Sequence, residues 1–156
     1  MASSSRQSLP PTHTELVDFA DQFAAVAQAL GLPPMPARVL GWLLVCDPPA
    51  ASSQELEDAL GVSRASVSAA TRLLEATRLV NRRTRSGQRV HRFEIDADAF
   101  IRLADAERYR AFRKALEGGM RLRPNDRRLE ELHDFYTYME REVAVVIERY
   151  RTEKAG

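Results

Sequence analysis

Two short helical segments meet at the turn Gly61-Val62-Ser63, and an arginine-rich stretch broken at Ser86-Gly87 follows almost at once. No other feature restricts the possible folds as strongly, because it asks for two helices packed through a tight corner and then an antiparallel hairpin. Ser52 and Glu55 have capping-box spacing: the serine accepts an orphan backbone N–H and the glutamate reaches back to the cap. The first helix of the pair therefore opens at Ser52 and ends near Leu60-Gly61. Ser63 caps the second, whose inward positions are Val67, Ala70 and Leu74. Arg64, Ala65, Ser68, Ala69 and Arg72 fall on its exposed side. Leu79-Val80 returns to the core, and Val80 to Arg85 and Arg89 to Ile95 read as strands connected through Ser86 to Gln88.

Charge is concentrated in the same segment. From Ala59 to Phe93 there are eight arginines and one acid, Glu75, in a chain of formal net charge +1, so the remainder is acidic. Small residues on an exposed helix face permit close approach, and arginines pair with anions. A helix beside a basic hairpin suits double-stranded nucleic acid, the helix entering a groove and the hairpin reaching phosphate. Plain solvation also accounts for exposed arginines.

The flanking regions are helical. Leu16, Phe19, Phe23, Val26, Ala27 and Leu30 recur at helical spacing, with Gly31, Pro33 and Pro34 as a stop. Ala37 to Cys46 forms a second apolar helix closed by Asp47-Pro48-Pro49. After the hairpin a helix runs from about Asp98 to Gly118-Gly119, with Phe100, Ala104, Ala111, Phe112 and Ala115 on its apolar side. A last helix starts near Asn125, and its stripe Leu129, Leu132, Tyr136, Met139, Val143, Val146, Tyr150 alternates spacings of three and four. Such a stripe over about three heptads buries only against another helix. A second copy of the chain is the favoured partner, and an internal helical hairpin is the alternative.

With 156 residues the chain fits one domain, or one small module with an oligomerising extension. The expected fold class is mainly α with a small β-hairpin. No run is long enough for a membrane span, and the polar start Met1 to Ser8 lacks the apolar stretch of a signal peptide, so a cytoplasmic location is expected. Cys46 is the only cysteine and lies in an apolar run, where a buried thiol is expected. No Cys/His/Asp/Glu cluster suggests a metal or other cofactor; His13 and His133 are remote from one another, and His91 has the strand parity of Phe93 and Ile95, that of a packed or hairpin-supporting residue. Ser52-Ser53 and Ser66-Val67-Ser68 lack a paired base, and Glu130, Glu131 and Asp134 read as a solvated face, so an enzyme is not expected.

These motifs together resemble the winged-helix bacterial regulators of the MarR superfamily, with Gly87-Gln88-Arg89 closer to the GbsR-like branch. Ser52-Ser53-Gln54-Glu55-Leu56, Leu60 to Ser68, Leu73-Leu74-Glu75 and Gly87 to Phe93 carry the resemblance, which extends over about Leu16 to Tyr150. It implies a winged helix-turn-helix over residues 35–96, an N-terminal dimerisation helix at 14–31 and a C-terminal helical dimerisation region at 97–152. The DNA-binding residues it implies are Ser52, Gln54, Ser63, Arg64, Ala65, Ser66, Ser68 and Arg72, with Arg82, Arg83, Arg85 and Arg89 on or near the wing. The family's wing signature of Asp two residues before Arg is replaced by Thr84-Arg85-Ser86-Gly87, so no Asp-braced wing arginine is assigned. The implied function is a homodimeric, sequence-specific DNA-binding repressor modulated by a small hydrophobic or aromatic effector, with Phe19, Phe23, Trp42, Tyr109, Phe112 and Tyr136 as pocket candidates. Core or interface packing is the competing role for each ring. A non-specific architectural DNA-binding protein and a winged-helix protein-interaction module are the alternatives.

Overall fold

The computed structural model describes residues 9–156; the polar start Met1 to Ser8 lies outside them. The element order is α1 (His13–Ala29), α2 (Pro34–Val45), β1 (Ala51–Ser52), α3 (Ser53–Leu60), α4 (Arg64–Ala76), β2 (Val80–Thr84), β3 (His91–Ile95), α5 (Ala97–Leu103), α6 (Ala106–Leu122) and α7 (Arg127–Ala155). The chain divides after Asp96 into two compact units.

The first unit is built on a core of Leu56, Leu74, Val39, Val67, Val80 and Phe93, each less than 2% exposed or at that limit. Val67, Ala70 and Leu74 of α4 face this core as their spacing requires. α1 behaves differently from its pattern. Ala20, Ala24 and Ala27 are its buried positions, whereas Phe19, Val26 and Leu30 stand exposed. Gly41 explains the choice: a Cβ there would lie 2.8 Å from the Ala20 carbonyl oxygen, so α1 and α2 approach through small residues and push the large ones outward. α2 begins at Pro34, earlier than the expected Ala37, since proline suits the first helical turn and its missing N–H costs nothing there.

The hairpin strands pair antiparallel in the register Val80↔Ile95, Arg82↔Phe93 and Thr84↔His91. A third strand that the sequence pattern does not reveal, β1, pairs with the other edge of β3 through Ala51↔Phe93 and Ser52↔Arg92, giving the order β1-β3-β2.

In the second unit, the single helix expected from Asp98 is two helices. Asp105 caps α6 by accepting from the Ala106 N–H at 2.6 Å. Gly118-Gly119 does not end α6, which continues to Leu122. A Cβ on Gly119 would meet both Leu129 methyls at 3.4 Å, so the glycine serves close helix approach and not termination. α6 and α7 form an antiparallel hairpin. Glu140 accepts from Arg110 Nε and Arg113 Nε, both at 2.7 Å, and Phe112 stacks on Tyr136 at 5.0 Å. Part of the terminal stripe is therefore satisfied within the chain: Leu129, Tyr136, Met139 and Val143 are half-buried, while Leu132, Val146 and Tyr150 remain exposed.

Candidate nucleic-acid interface

The helix pair at the turn is set by its caps. Ser52 Oγ accepts from the Glu55 N–H at 3.2 Å, and Glu55 Oε2 accepts from the Ser52 N–H at 2.7 Å, the reciprocal box expected from their spacing. This backbone contact, aided by Arg92, holds the Glu55 carboxyl below the usual carboxylate range. α3 ends at Gly61 with φ +63°, a left-handed conformation that glycine adopts without steric cost. Arg38 of α2 donates to Asp21 of α1 and, through Nη1, to the Leu60 carbonyl at 3.0 Å, fixing the end of α3 against both helices. α4 then starts at Ser63, whose Oγ accepts from the Ser66 N–H at 3.2 Å.

This geometry sorts the implied DNA-binding residues. Arg64, Ala65, Ser68, Ala69 and Arg72 are exposed at positions that share one face of α4, two small residues and a serine between two arginines. Arg72 Nε donates to the Ser68 carbonyl at 3.3 Å, which lays the side chain along the helix. Ser63 and Ser66 are engaged with one another, their hydroxyls 2.9 Å apart. Gln54 is on α3, donating to Asp58 at 3.0 Å. Ser52 is 6% exposed and occupied as a cap, so its role is to build the turn, not to offer a surface group.

The eight arginines of the basic segment separate into two sets. Arg82 pairs with Glu75 of α4 at 3.2 Å and lies 5.5 Å over the Phe93 ring; Arg83 pairs with Glu94 across the strands; Arg92 pairs with Glu55 at 2.8 Å and donates to the Ala50 carbonyl at 2.9 Å. These three tie the sheet to itself and to α3 and α4. Among the described residues, Arg64, Arg72, Arg78, Arg85 and Arg89 form no ion pair. Arg85 and Arg89 flank a tight turn in which the Gln88 N–H donates to the Arg85 carbonyl at 2.9 Å and Gly87 takes φ +83°. A positive φ at the third turn residue is the type II requirement that glycine meets. His91 is exposed, with Nδ1 2.6 Å from Thr84 Oγ1, so it supports the hairpin from outside the core.

Sequence spacing does not reveal Arg78 and Arg92. Arg78 takes φ +58° just past α4, where the Leu79 N–H donates to the Leu74 carbonyl at 3.0 Å in a Schellman closure. Glycine is the usual marker of that position, and its absence removes the signal.

The six pocket candidates belong to separate parts of the chain. Phe19 stacks on Phe23 at 6.3 Å, and Trp42, 8% exposed, packs against His13 at 5.5 Å, all in the first unit. Tyr109 and Phe112 pack on Tyr136 in the second. Trp42 also borders a cleft. Cys46 is half-buried, its thiol directed to the Leu43 carbonyl, and burial pushes its pKa up. Among the described residues no helix is long and apolar enough to cross a membrane, and no group of three or more His, Cys, Asp or Glu is placed to hold a metal.

Two family models match complementary parts of the chain. The one described as MarR family covers residues 30–89, and the one described as MmpR5-like MarR family transcriptional regulator covers residues 98–153. The HTH-type transcriptional regulator MmpR5 of Mycobacterium tuberculosis is 32% identical over 144 residues, spanning 87% of each chain. The chain belongs to the MarR family. A crystal structure of a transcriptional regulator is also 32% identical, with a TM-score of 0.72 over 88% of this chain and 98% of that one. As a MarR-family member the protein is a DNA-binding transcription regulator with a winged-helix fold. The helix-turn-helix, β2 and the following turn as far as Arg89 lie within the family model over residues 30–89, and β3 lies beyond it.

Proposed function

We propose that this regulator binds an inverted-repeat operator as a homodimer, with α4 in the major groove and the wing tip on the adjacent backbone. The observation that carries the reading is the small-residue face of α4, flanked by Arg64 and Arg72, together with Arg85 and Arg89 at the wing tip, all without a carboxylate partner. Arginine reads guanine through O6 and N7, whereas tip arginines meeting phosphate supply affinity without sequence preference. In this reading Gln54 and Ser68 add polar contacts, and Ala65 permits close approach.

Residues 35–96 then form the DNA-binding domain, and residues 14–31 and 97–152 the dimerisation regions. The support for pairing is α7, where Leu132, Phe135, Tyr138, Val145 and Val146 are all about half exposed in one chain. Two copies would bring their α4 helices to successive major grooves, about 34 Å apart. Repression, a cytoplasmic location and modulation by a small effector belong to the same proposal. The effector's candidate contacts are Phe19, Phe23 and Trp42 within the first unit and Tyr109, Phe112 and Tyr136 within the second, each also a packing residue. The GbsR-like placement rests on Gly87-Gln88-Arg89 alone, while the C-terminal helices match the MmpR5-like model.

Selection of genomic fragments by the purified protein, followed by sequencing, tests the proposal. Enrichment of one inverted motif is expected. Uniform recovery of fragments would replace it with an architectural role.

A further inference from the structure

Positive φ is met by glycine at three places in this chain: Gly31, Gly61 and Gly87 take φ +97°, +63° and +83°. A fourth, Asn125 at φ +63°, has a side chain that tolerates the left-handed region. Arg78, at φ +58°, is the exception among the described residues. It closes α4: its N–H donates to the Glu75 carbonyl and the Leu79 N–H to the Leu74 carbonyl, both at 3.0 Å. Glycine would make the same closure without the crowding between Cβ and carbonyl oxygen that other L-residues meet there.

The fold returns nothing for that strain. The Arg78 side chain is exposed and has no hydrogen bond, ion pair or ring contact among the described residues, while Leu79 and Val80 beside it are buried. Arg82, Arg83 and Arg92, by contrast, are taken up by Glu75, Glu94 and Glu55. Residues held in sparsely populated backbone regions cluster where a ligand is met, and here the strained residue is also an unpartnered cation.

Its place is the joint between α4 and β2, the first strand of the wing. At 1.5 Å of rise per residue, Arg64 and Arg72 stand about 12 Å apart along the α4 axis, about the width of the major groove. Ala76 is about 6 Å beyond Arg72. With the two arginines spanning the groove, the end of α4 therefore lies past it, at the sugar-phosphate strand that bounds it. A guanidinium meets phosphate there through paired N–H donors.

We infer that Arg78 is a phosphate contact, one per copy, gripping the strand that flanks the groove at the joint between α4 and the wing. The inference rests on the placement of α4 in the major groove proposed above, and adds an anchor that belongs to neither the exposed face of α4 nor the wing tip. The free protein carries the strain, and the contact appears only with DNA.

Binding of the full chain to operator and scrambled duplexes is measured by fluorescence anisotropy over a salt series, and thermal unfolding without DNA by circular dichroism. Arg78→Gly removes charge and strain together. It is expected to lower the slope of log K against log salt concentration by about 0.9 for each copy bound, on both duplexes, with a Tm equal to or above that of the unsubstituted protein. Arg78→Asn, which tolerates the same φ, should share the lowered slope, and Arg78→Lys, which keeps the charge, should retain the full one. A full slope in Arg78→Gly, or an equally lowered slope in Arg78→Lys, would overturn the inference. So would a lower Tm in Arg78→Gly, since a cation at the end of α4 also meets the helix dipole and its loss would then be felt without DNA. If the unsubstituted chain binds both duplexes equally, the operator reading fails, and the slopes on either duplex still decide the role of Arg78.

Discussion

The winged unit and the helical hairpin solve the burial problem in opposite ways. The first places Phe93, Leu56, Leu74, Val39, Val67 and Val80 almost wholly out of water. The second has a 29-residue helix, α7, with no buried residue at all. Its contacts to α6 are half-buried side chains and a carboxylate, Glu140, shared by two arginines. A core that closes on itself is stable in a single copy. A helix pair that leaves Leu132, Phe135, Tyr138, Val145 and Val146 about half exposed retains apolar area for a partner, and burying such area contributes roughly 25 cal/mol per Å².

The largest effect expected from this contrast is on Phe93. Phe93→Ala should cost about 3 to 5 kcal/mol in denaturant unfolding, because the cavity lies where all three strands and the helices converge. Tyr136→Ala, in the hairpin, should cost clearly less; an equal loss would erase the distinction between the units. Next in size is assembly. Val146→Glu places a carboxylate on the exposed apolar face of α7 and is expected to convert dimer to folded monomer by light scattering, with loss of preference for the full operator over a half-site. An unchanged dimer would move the interface elsewhere.

The smallest effect is on pH dependence. The Arg113 and Arg110 hydrogen bonds lower the Glu140 pKa, so this carboxylate contributes stability above its unfolded pKa and loses it as pH falls through the depressed folded value. Asp126, held at about 2 chiefly by Arg128, acts in the same direction at the start of α7. Helicity of the second unit should therefore be flat from pH 6 to 8 and fall in the acid range, and Glu140→Gln should flatten the upper part of that fall. A fall that is unaltered in Glu140→Gln would separate the acid sensitivity from this carboxylate.

What the sequence discloses follows the range of the interactions. The Ser52–Glu55 box, the Ser63 cap and the Gly61 turn are local, so residue type and spacing suffice to locate them. β1 is two residues long and acquires its meaning from a partner about forty positions away, which no local pattern encodes. The same holds for the arginines. Arg82, Arg83, Arg85 and Arg89 look alike in the sequence, yet register turns the first two toward Glu75 and Glu94 and leaves the last two at the tip. The α1 stripe misleads because Gly41 selects alanines for the buried side, a fact about α2 and not about α1.

That division of the arginines is the central claim, and the salt dependence of operator binding tests it most directly. Each phosphate contact contributes about 0.9 to the slope of log K against log salt concentration. Arg85→Ala and Arg89→Ala should each lower the slope by about that amount per contact removed. Arg82→Ala, which breaks an internal pair with Glu75, should change affinity while leaving the slope as it was. A slope that falls with Arg82→Ala and holds with Arg85→Ala and Arg89→Ala would contradict the account.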